Sequence, residues 1–387
     1  MKISENFRAL TPNYLFAEVA ARVAAFKAEH PQKNVISLGI GDVTLPLPEC
    51  VVQALRAAAE EMREQASFRG YGPEQGYDFL REAIAGYYAG KGVKLNTGEI
   101  FVSDGAKSDL GNILDIFPRG MTVAVPDPVY PAYVDANIIS GNKTVFVKAL
   151  PENGFLPLPD KSVKADVIYI CSPNNPTGAV YDAEKLRLWV EHALATGALI
   201  IYDAAYERFI TDKALPTTVY SVPGAEYCAI EVCSFSKTAG FTGLRCGWTV
   251  VPETLAGGSV NAAWLRRQCV KFNGVPYVVQ RAAQAVLTPE GLRAADEHIA
   301  YYLENARLIA GALGEKGIRF FGGENSPYIW MECGMPSWEF FDQLLDSAQI
   351  VGTPGAGFGS GGEGFFRLTA FNSHENTLAA AERIKRL

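Results

Sequence analysis

Between Ser234 and Trp248 the chain reads SFSKTAGFTGLRCGW, one lysine among hydroxyls and small residues with an arginine further on. Lys237 carries an amine that can form a Schiff base, and Ser234, Ser236 and Arg245 carry donors that can hold phosphate oxygens from one side. Taken alone, the segment would serve equally well as a solvated surface loop. The residues upstream decide between the two readings.

Several residues able to hold a flat, phosphorylated heterocycle stand just behind short apolar runs. SDGAKSD follows Phe101-Val102; its small residues open a helix at Ala106, whose free amides suit phosphate, and Lys107 adds charge. PDPVYPAY follows Val123-Ala124-Val125 and sets Tyr130 in a proline-restricted loop, where its ring can stack on a heterocycle. CSPNNPTG follows Val167-Ile168-Tyr169-Ile170, and Asn175 there offers an amide N–H to a phenolic oxygen. Asp203 ends the run Leu199-Ile200-Ile201-Tyr202. A carboxylate at a buried strand end is costly unless paired, and a protonated pyridine nitrogen would pair it. Tyr206 lies close enough in sequence to donate to the ring oxygen. Each signal is weak singly; in this order they suit pyridoxal 5'-phosphate, with Lys237, Asp203 and Tyr206 as catalytic residues.

These residues need elements to position them. Apolar runs at 100–102, 122–125, 144–147, 167–170, 199–202 and 229–232 alternate with helical stretches such as 183–195. That pattern predicts an α/β fold around a mostly parallel sheet, with ligands beyond the carboxyl ends of the strands. Helices are expected over 50–66 and 78–90, with the turn-rich FRGYGPEQGY between them. A long helix over 289–314, strands at 319–321, 328–331 and 364–369, and a helix near 337–347 suggest a smaller α+β domain. The expected division is a large cofactor-binding domain over 45–285 and a small domain made of 1–44 and 286–387.

Composition narrows the function classes. The 387 residues, 48% hydrophobic and 20% charged, have an ordinary globular balance. A net charge of -7 without a long basic cluster argues against nucleic-acid binding. Seven scattered cysteines and four dispersed histidines show no zinc-ligand spacing, so no metal is expected and a reducing, cytoplasmic setting fits. The N-terminus lacks a secretory apolar core, and no apolar stretch is long enough to span a membrane. Gly357, Gly359 and Gly362 satisfy G-x-G-x-x-G but precede a strand without a βαβ unit, so no dinucleotide site is expected. Glu60-Glu61 reads as a solvated helix face. Arg367, behind Phe365-Phe366, can grip an α-carboxylate with two parallel hydrogen bonds.

Over essentially its full length the chain resembles a fold-type I pyridoxal-phosphate aminotransferase of class I/II. NYLF (Asn13 to Phe16), LGIGD, FRGYGPEQGY, FVSDGAKSD, KFNGVPYVVQ and TPGAGFG resemble the LL-diaminopimelate aminotransferase group within it. The resemblance implies a homodimer in which Tyr71 reaches the partner's phosphate and Glu74 meets the distal end of the partner's substrate. It further implies that Tyr14, Gly41, Lys107, Tyr130, Asn175, Asn273 and Arg367 contact substrate, some of them also cofactor. The implied reaction is transamination between L,L-2,6-diaminopimelate and 2-oxoglutarate, giving tetrahydrodipicolinate and glutamate, with biosynthesis of lysine running in reverse. Another class I/II aminotransferase or a β-lyase shares the Lys237–Asp203 core. A pyridoxal-binding regulator would need a DNA-reading module, and no basic helix-turn-helix precedes the domain.

Overall fold

Along the central strands, neighbouring side chains enter different cores. Ile200 and Tyr202 pack on one side with Leu186, Val190 and Ile84, while Ile201 packs on the other with Leu110, Tyr133 and Trp264. A strand with both faces covered must be apolar at every position, which explains the continuous apolar runs. The computed structural model describes residues 1–11, 14–160 and 163–387.

From the N-terminal side, α1 (Leu15–Glu29) precedes β1 (Ile36–Ser37), and α2 (Glu49–Glu61) and α3 (Asp78–Gly90) follow. The central run is β2 (Ile100–Ser103), α4 (Ala106–Asn112), β3 (Thr122–Asp127), α5 (Pro131–Ser140), β4 (Lys143–Lys148), β5 (Val167–Cys171), α6 (Ala183–Thr196), β6 (Leu199–Asp203), β7 (Ala229–Ser234), the short α7 (Phe235–Thr238) and β8 (Gly247–Val250). Next come α8 (Ser259–Lys271), α9 (Tyr277–Val286), α10 (Pro289–Glu315), β9 (Phe320–Gly322), β10 (Tyr328–Glu332), α11 (Ser337–Ala348), β11 (Ile350–Val351), β12 (Thr353–Pro354), β13 (Phe365–Thr369) and α12 (His374–Ile384).

Strands β2 to β8 form a seven-stranded sheet in the order β2-β8-β7-β6-β5-β3-β4. Strands β4, β3, β5, β6 and β7 pair in parallel; β8 alone runs antiparallel, between β7 and β2. Edge strand β4 exposes Lys143 and Lys148, charges that discourage pairing with another chain. A four-stranded antiparallel sheet, β12-β13-β10-β9, packs with α1, α10, α11 and α12 around its own core. Parallel pairing of Ile36–Ser37 with Ile350–Val351 ties the N-terminal segment to this second unit.

The α/β expectation and the parallel sheet hold. The helix expected over 50–66 stops at Glu61, because Arg63 to Ala66 are exposed and no core faces them. Glu61 is not merely solvated: Tyr277 Oη donates to it and Arg281 lies at 3.5 Å, joining α2 to α9. The run around Tyr130 is less loop than expected, since Pro131 opens α5 directly behind it. Strand β8 went unread, being short and set behind a glycine-rich turn.

Candidate active site

The parallel strands end on one edge of the sheet, where a cavity of about 720 Å³ opens against the second unit. It is lined by Gly41, Ala106, Lys107, Tyr130, Asn175, Asp203, Tyr206, Ser234, Ser236, Lys237, Arg245 and Arg367. Most of the predicted site residues are thus brought together in one chain.

One end of the cavity is a cup of donors. Ser234 caps α7 by accepting from the Ser236 N–H at 3.1 Å, and Arg245 Nη1 donates to Ser236 Oγ at 3.3 Å. Arg245 holds a positive φ of 59°. Glycines permit the close packing: a Cβ on Gly105, whose φ is +121°, would lie 2.5 Å from Arg245 Nη2, and one on Gly247 would lie 2.6 Å from the Cys233 carbonyl. Strand β8 therefore closes the cup from behind. Asp109, one turn into α4, accepts from Thr249 Oγ1 of β8, clipping the helix to the sheet. Burial raises that carboxyl to about 7.

The floor is Asp203, buried at the end of β6. Tyr133 Oη donates to Asp203 Oδ2 at 2.5 Å and the Ala205 N–H donates to Oδ1 at 2.9 Å. Burial raises the pKa of Asp203 while these two hydrogen bonds oppose it; among the described residues no cationic side chain pairs with it. A buried carboxylate with neutral partners only is suited to a cationic ring nitrogen. Tyr130 meets Tyr133 edge to face at 5.6 Å; both rings line the cavity, and Tyr133 also orients the acid.

Lys237 Nζ donates to the Gly41 carbonyl and lies 5.6 Å from the Phe371 ring centre. Burial, aided by the charges of Arg245 and Arg367, lowers this amine from 10.5 to about 8, against the pull of Asp42. Its neutral, nucleophilic form is therefore well populated in mildly alkaline solution. Gly41 packs closely there: a Cβ on it would lie 2.9 Å from Tyr328 Oη, so a larger residue would have to displace that ring.

Arg367, 1% exposed, crosses from β13. Its Nη1 donates to Asn175 Oδ1 at 2.7 Å and its Nη2 to the Gly39 carbonyl at 2.7 Å. The first bond fixes the Asn175 amide with oxygen toward the arginine and Nδ2 available as a donor. The rings of Tyr328, Phe358 and Phe16 stand 4.7, 5.0 and 5.6 Å from the guanidinium carbon. Among the described residues no carboxylate pairs with Arg367, and its Nε–H is buried without a partner. Burial lowers its pKa. An unpaired buried guanidinium is costly, and an incoming carboxylate would relieve it.

Other expectations are met differently. The Tyr206 hydroxyl bonds that of Tyr328 at 2.5 Å, so Tyr206 sits in a phenol pair. Lys107 is exposed at the cavity lining, with Nζ 5.4 and 6.0 Å from the Tyr14 and Tyr130 ring centres. The Tyr14 hydroxyl is buried near that of Tyr130 without meeting hydrogen-bond geometry. Asn13 lies outside the described residues. Tyr71, Glu74 and Asn273 do not line the cavity. Tyr71 is 92% exposed, and a Cβ on Gly274 would lie 3.2 Å from the Pro73 carbonyl, so the two segments carrying these residues abut at a separate surface. Sequence reading missed Tyr133, three places after Tyr130 and so one helical turn on, and Tyr328, for which no local signal exists.

Donor cup, unpaired acid, depressed lysine and amide donor together fit pyridoxal 5'-phosphate, judged by the chemistry of the residues present. The family profile described as aminotransferase class I and II matches residues 33–384. An LL-diaminopimelate aminotransferase of Bacteroides fragilis is 47% identical over 99% of this chain and 98% of its own length. Among solved structures, L,L-diaminopimelate aminotransferase from Chlamydomonas reinhardtii superposes with a TM-score of 0.94 at 42% identity, covering 100% of this chain and 98% of that one. An aromatic aminotransferase from Pyrococcus horikoshii gives 0.83 at 28% identity, covering 94% and 98%.

Proposed function

Because the chain belongs to the class I and II aminotransferases, we propose that it transfers amino groups between L,L-2,6-diaminopimelate and 2-oxoglutarate, yielding tetrahydrodipicolinate and glutamate, and the reverse in biosynthesis. The observation that carries the reaction type is the convergence of Lys237, Asp203 and unpaired Arg367 on one cavity. The substrate rests on relatives similar over nearly the whole chain.

The cofactor, when bound, supplies an electron sink for negative charge developing at the substrate Cα. Ser234, Ser236, Arg245 and the first amides of α4 would hold its phosphate, Asn175 and Tyr206 its ring oxygen, Tyr130 its ring face, and Asp203 its protonated nitrogen. Arg367 would clamp the α-carboxylate, placing the Cα–H within reach of Lys237. Lys237 Nζ, lowered to about 8 by burial, would accept that proton and hold it beside the substrate Cα. Tyr328 keeps Tyr206 oriented by bonding its hydroxyl.

A homodimer is part of this reading. Tyr71 and Glu74 would enter the partner's site, the tyrosine at phosphate and the glutamate opposite the distal ammonium, with Asn273 beside them. The exposure of Tyr71 outside its own chain's cavity supports it. We take 45–285 as the large domain and 1–44 with 286–387 as the small one, which the β1–β11 pairing supports. A cytoplasmic setting is consistent with all seven cysteines being free thiols.

The test offers L,L-diaminopimelate, meso-diaminopimelate, aspartate and tyrosine, each with 2-oxoglutarate, and measures glutamate formed. Turnover concentrated on L,L-diaminopimelate is expected. Turnover confined to aspartate or tyrosine would reject the substrate, and ammonia release without 2-oxoglutarate would reject transamination.

A further inference from the structure

In the glycine-rich stretch Gly355–Gly362 several glycines are packed to the limit. A Cβ on Gly359, whose φ is +117°, would collide with Asp127 Oδ1. One on Gly361 would lie 2.7 Å from the Asp127 carbonyl oxygen, and one on Gly357 would collide with Leu15. The glycines thus let the loop close around one carboxylate at the end of β3. Asp127 Oδ2 accepts from Ser360 Oγ at 2.7 Å and Oδ1 from the Gly361 N–H at 3.0 Å. Two residues on, the Val129 N–H donates to the Phe358 carbonyl at 2.7 Å. Phe358 in turn puts its ring 5.0 Å from the Arg367 guanidinium carbon and 5.8 Å from the Trp330 ring.

We propose that Asp127 is a positioning residue that latches the 355–362 loop to the large sheet and, through Phe358, holds Arg367 aimed into the cavity. The physical case lies in Arg367 itself. Its polar partners Asn175, Gly39 and Thr353 hold Nη1 and Nη2, while its buried Nε–H is met by none, so the rings packed against the guanidinium are what support it on the side those hydrogen bonds leave open. Phe358 is one of those rings, and its carbonyl is held by the Val129 N–H, two residues past the end of β3. A carboxylate accepting from both a hydroxyl and an amide makes a stronger tie than neutral partners would. Asp127 does not line the cavity, so its effect must pass through the loop.

The inference rests on the proposed function only in taking Arg367 as the carboxylate grip, and L-glutamate tests it whichever partner amino acid the enzyme prefers. In the holoenzyme, Asp127→Ala should raise KM for L-glutamate about tenfold, change kcat less than about threefold, and leave the affinity for added pyridoxal 5'-phosphate unchanged. Ser360→Ala should raise the same KM by a smaller factor. Asp127→Asn, which can accept from Gly361 and donate to Ser360 Oγ, should recover most of the wild-type value. The proposal is overturned if Asp127→Ala leaves KM at the wild-type value. It is equally overturned if KM, cofactor affinity and Tm worsen together without rescue by Asp127→Asn. Should Asp127→Ala not fold, Ser360→Ala decides: an unchanged KM overturns the proposal. A wild-type enzyme that uses L-glutamate but ignores L,L-diaminopimelate would sink the substrate reading and leave this test intact.

Discussion

Lys237 shows how position converts an ordinary side chain into a reagent. Burial makes the protonated amine costly and brings it to about 8 from 10.5, so the folded protein has lost a proton that the unfolded chain keeps across that interval. The unfolded state binds more protons there, so this lysine's contribution to stability rises with pH between those values, while the buried thiols of Cys171, Cys233 and Cys246, raised by burial, oppose it. Above about pH 10 the buried tyrosines act oppositely, since their raised pKa values leave the unfolded chain the more readily deprotonated. A comparison with Lys237→Met isolates the lysine. In cofactor-stripped protein, the stability of wild type relative to Lys237→Met, from denaturant titrations at several pH values, should rise between about pH 8 and pH 10. Parallel curves would mean that the amine titrates normally.

At the scale of elements, the cup depends on how closely α4, β8 and the turn holding Arg245 approach one another. Gly105 is the contact point, with a φ that side chains rarely adopt and no room for a Cβ beside Arg245 Nη2. Gly105→Ala should push the arginine or the helix start outward and weaken pyridoxal 5'-phosphate binding by about tenfold to a hundredfold. Titration of the stripped protein followed by absorbance measures this. Wild-type affinity in that variant would show that the cup does not depend on this packing. The strand that closes it, β8, reads from local pattern as part of a loop, because Gly247-Trp248-Thr249-Val250 is short and its pairing with Glu231–Ser234 and Ile100–Ser103 is non-local.

For the whole molecule, the surface made by the Tyr71–Glu74 and Asn273–Gly274 segments lies outside the cavity of its own chain. If a partner's site uses it, two damaged subunits can repair each other. Tyr71→Ala and Lys237→Ala, each deficient alone, are mixed, dissociated and reassociated. A mixed dimer then holds one intact site, formed by the lysine of one subunit and the tyrosine of the other. About a quarter of wild-type activity is expected from random pairing. No gain over the separate variants would place Tyr71 outside the partner's site.

The chemistry-bearing residues were legible from sequence because a parallel sheet presents its strand ends on one edge. Asn175, Asp203 and Lys237 each stand behind an apolar run, and local pattern suffices to find such runs. The bond of Arg367 to Asn175, the orientation it imposes on that amide, and the pairing of Tyr206 with Tyr328 could not be read locally, since each joins residues more than a hundred positions apart. Asp127 and its glycine loop belong to the same class. Sequence determined which groups the site contains, because strand and turn propensities are local. Only the tertiary structure decided which face which, because the packing of the second unit onto the sheet sets burial, and burial sets charge.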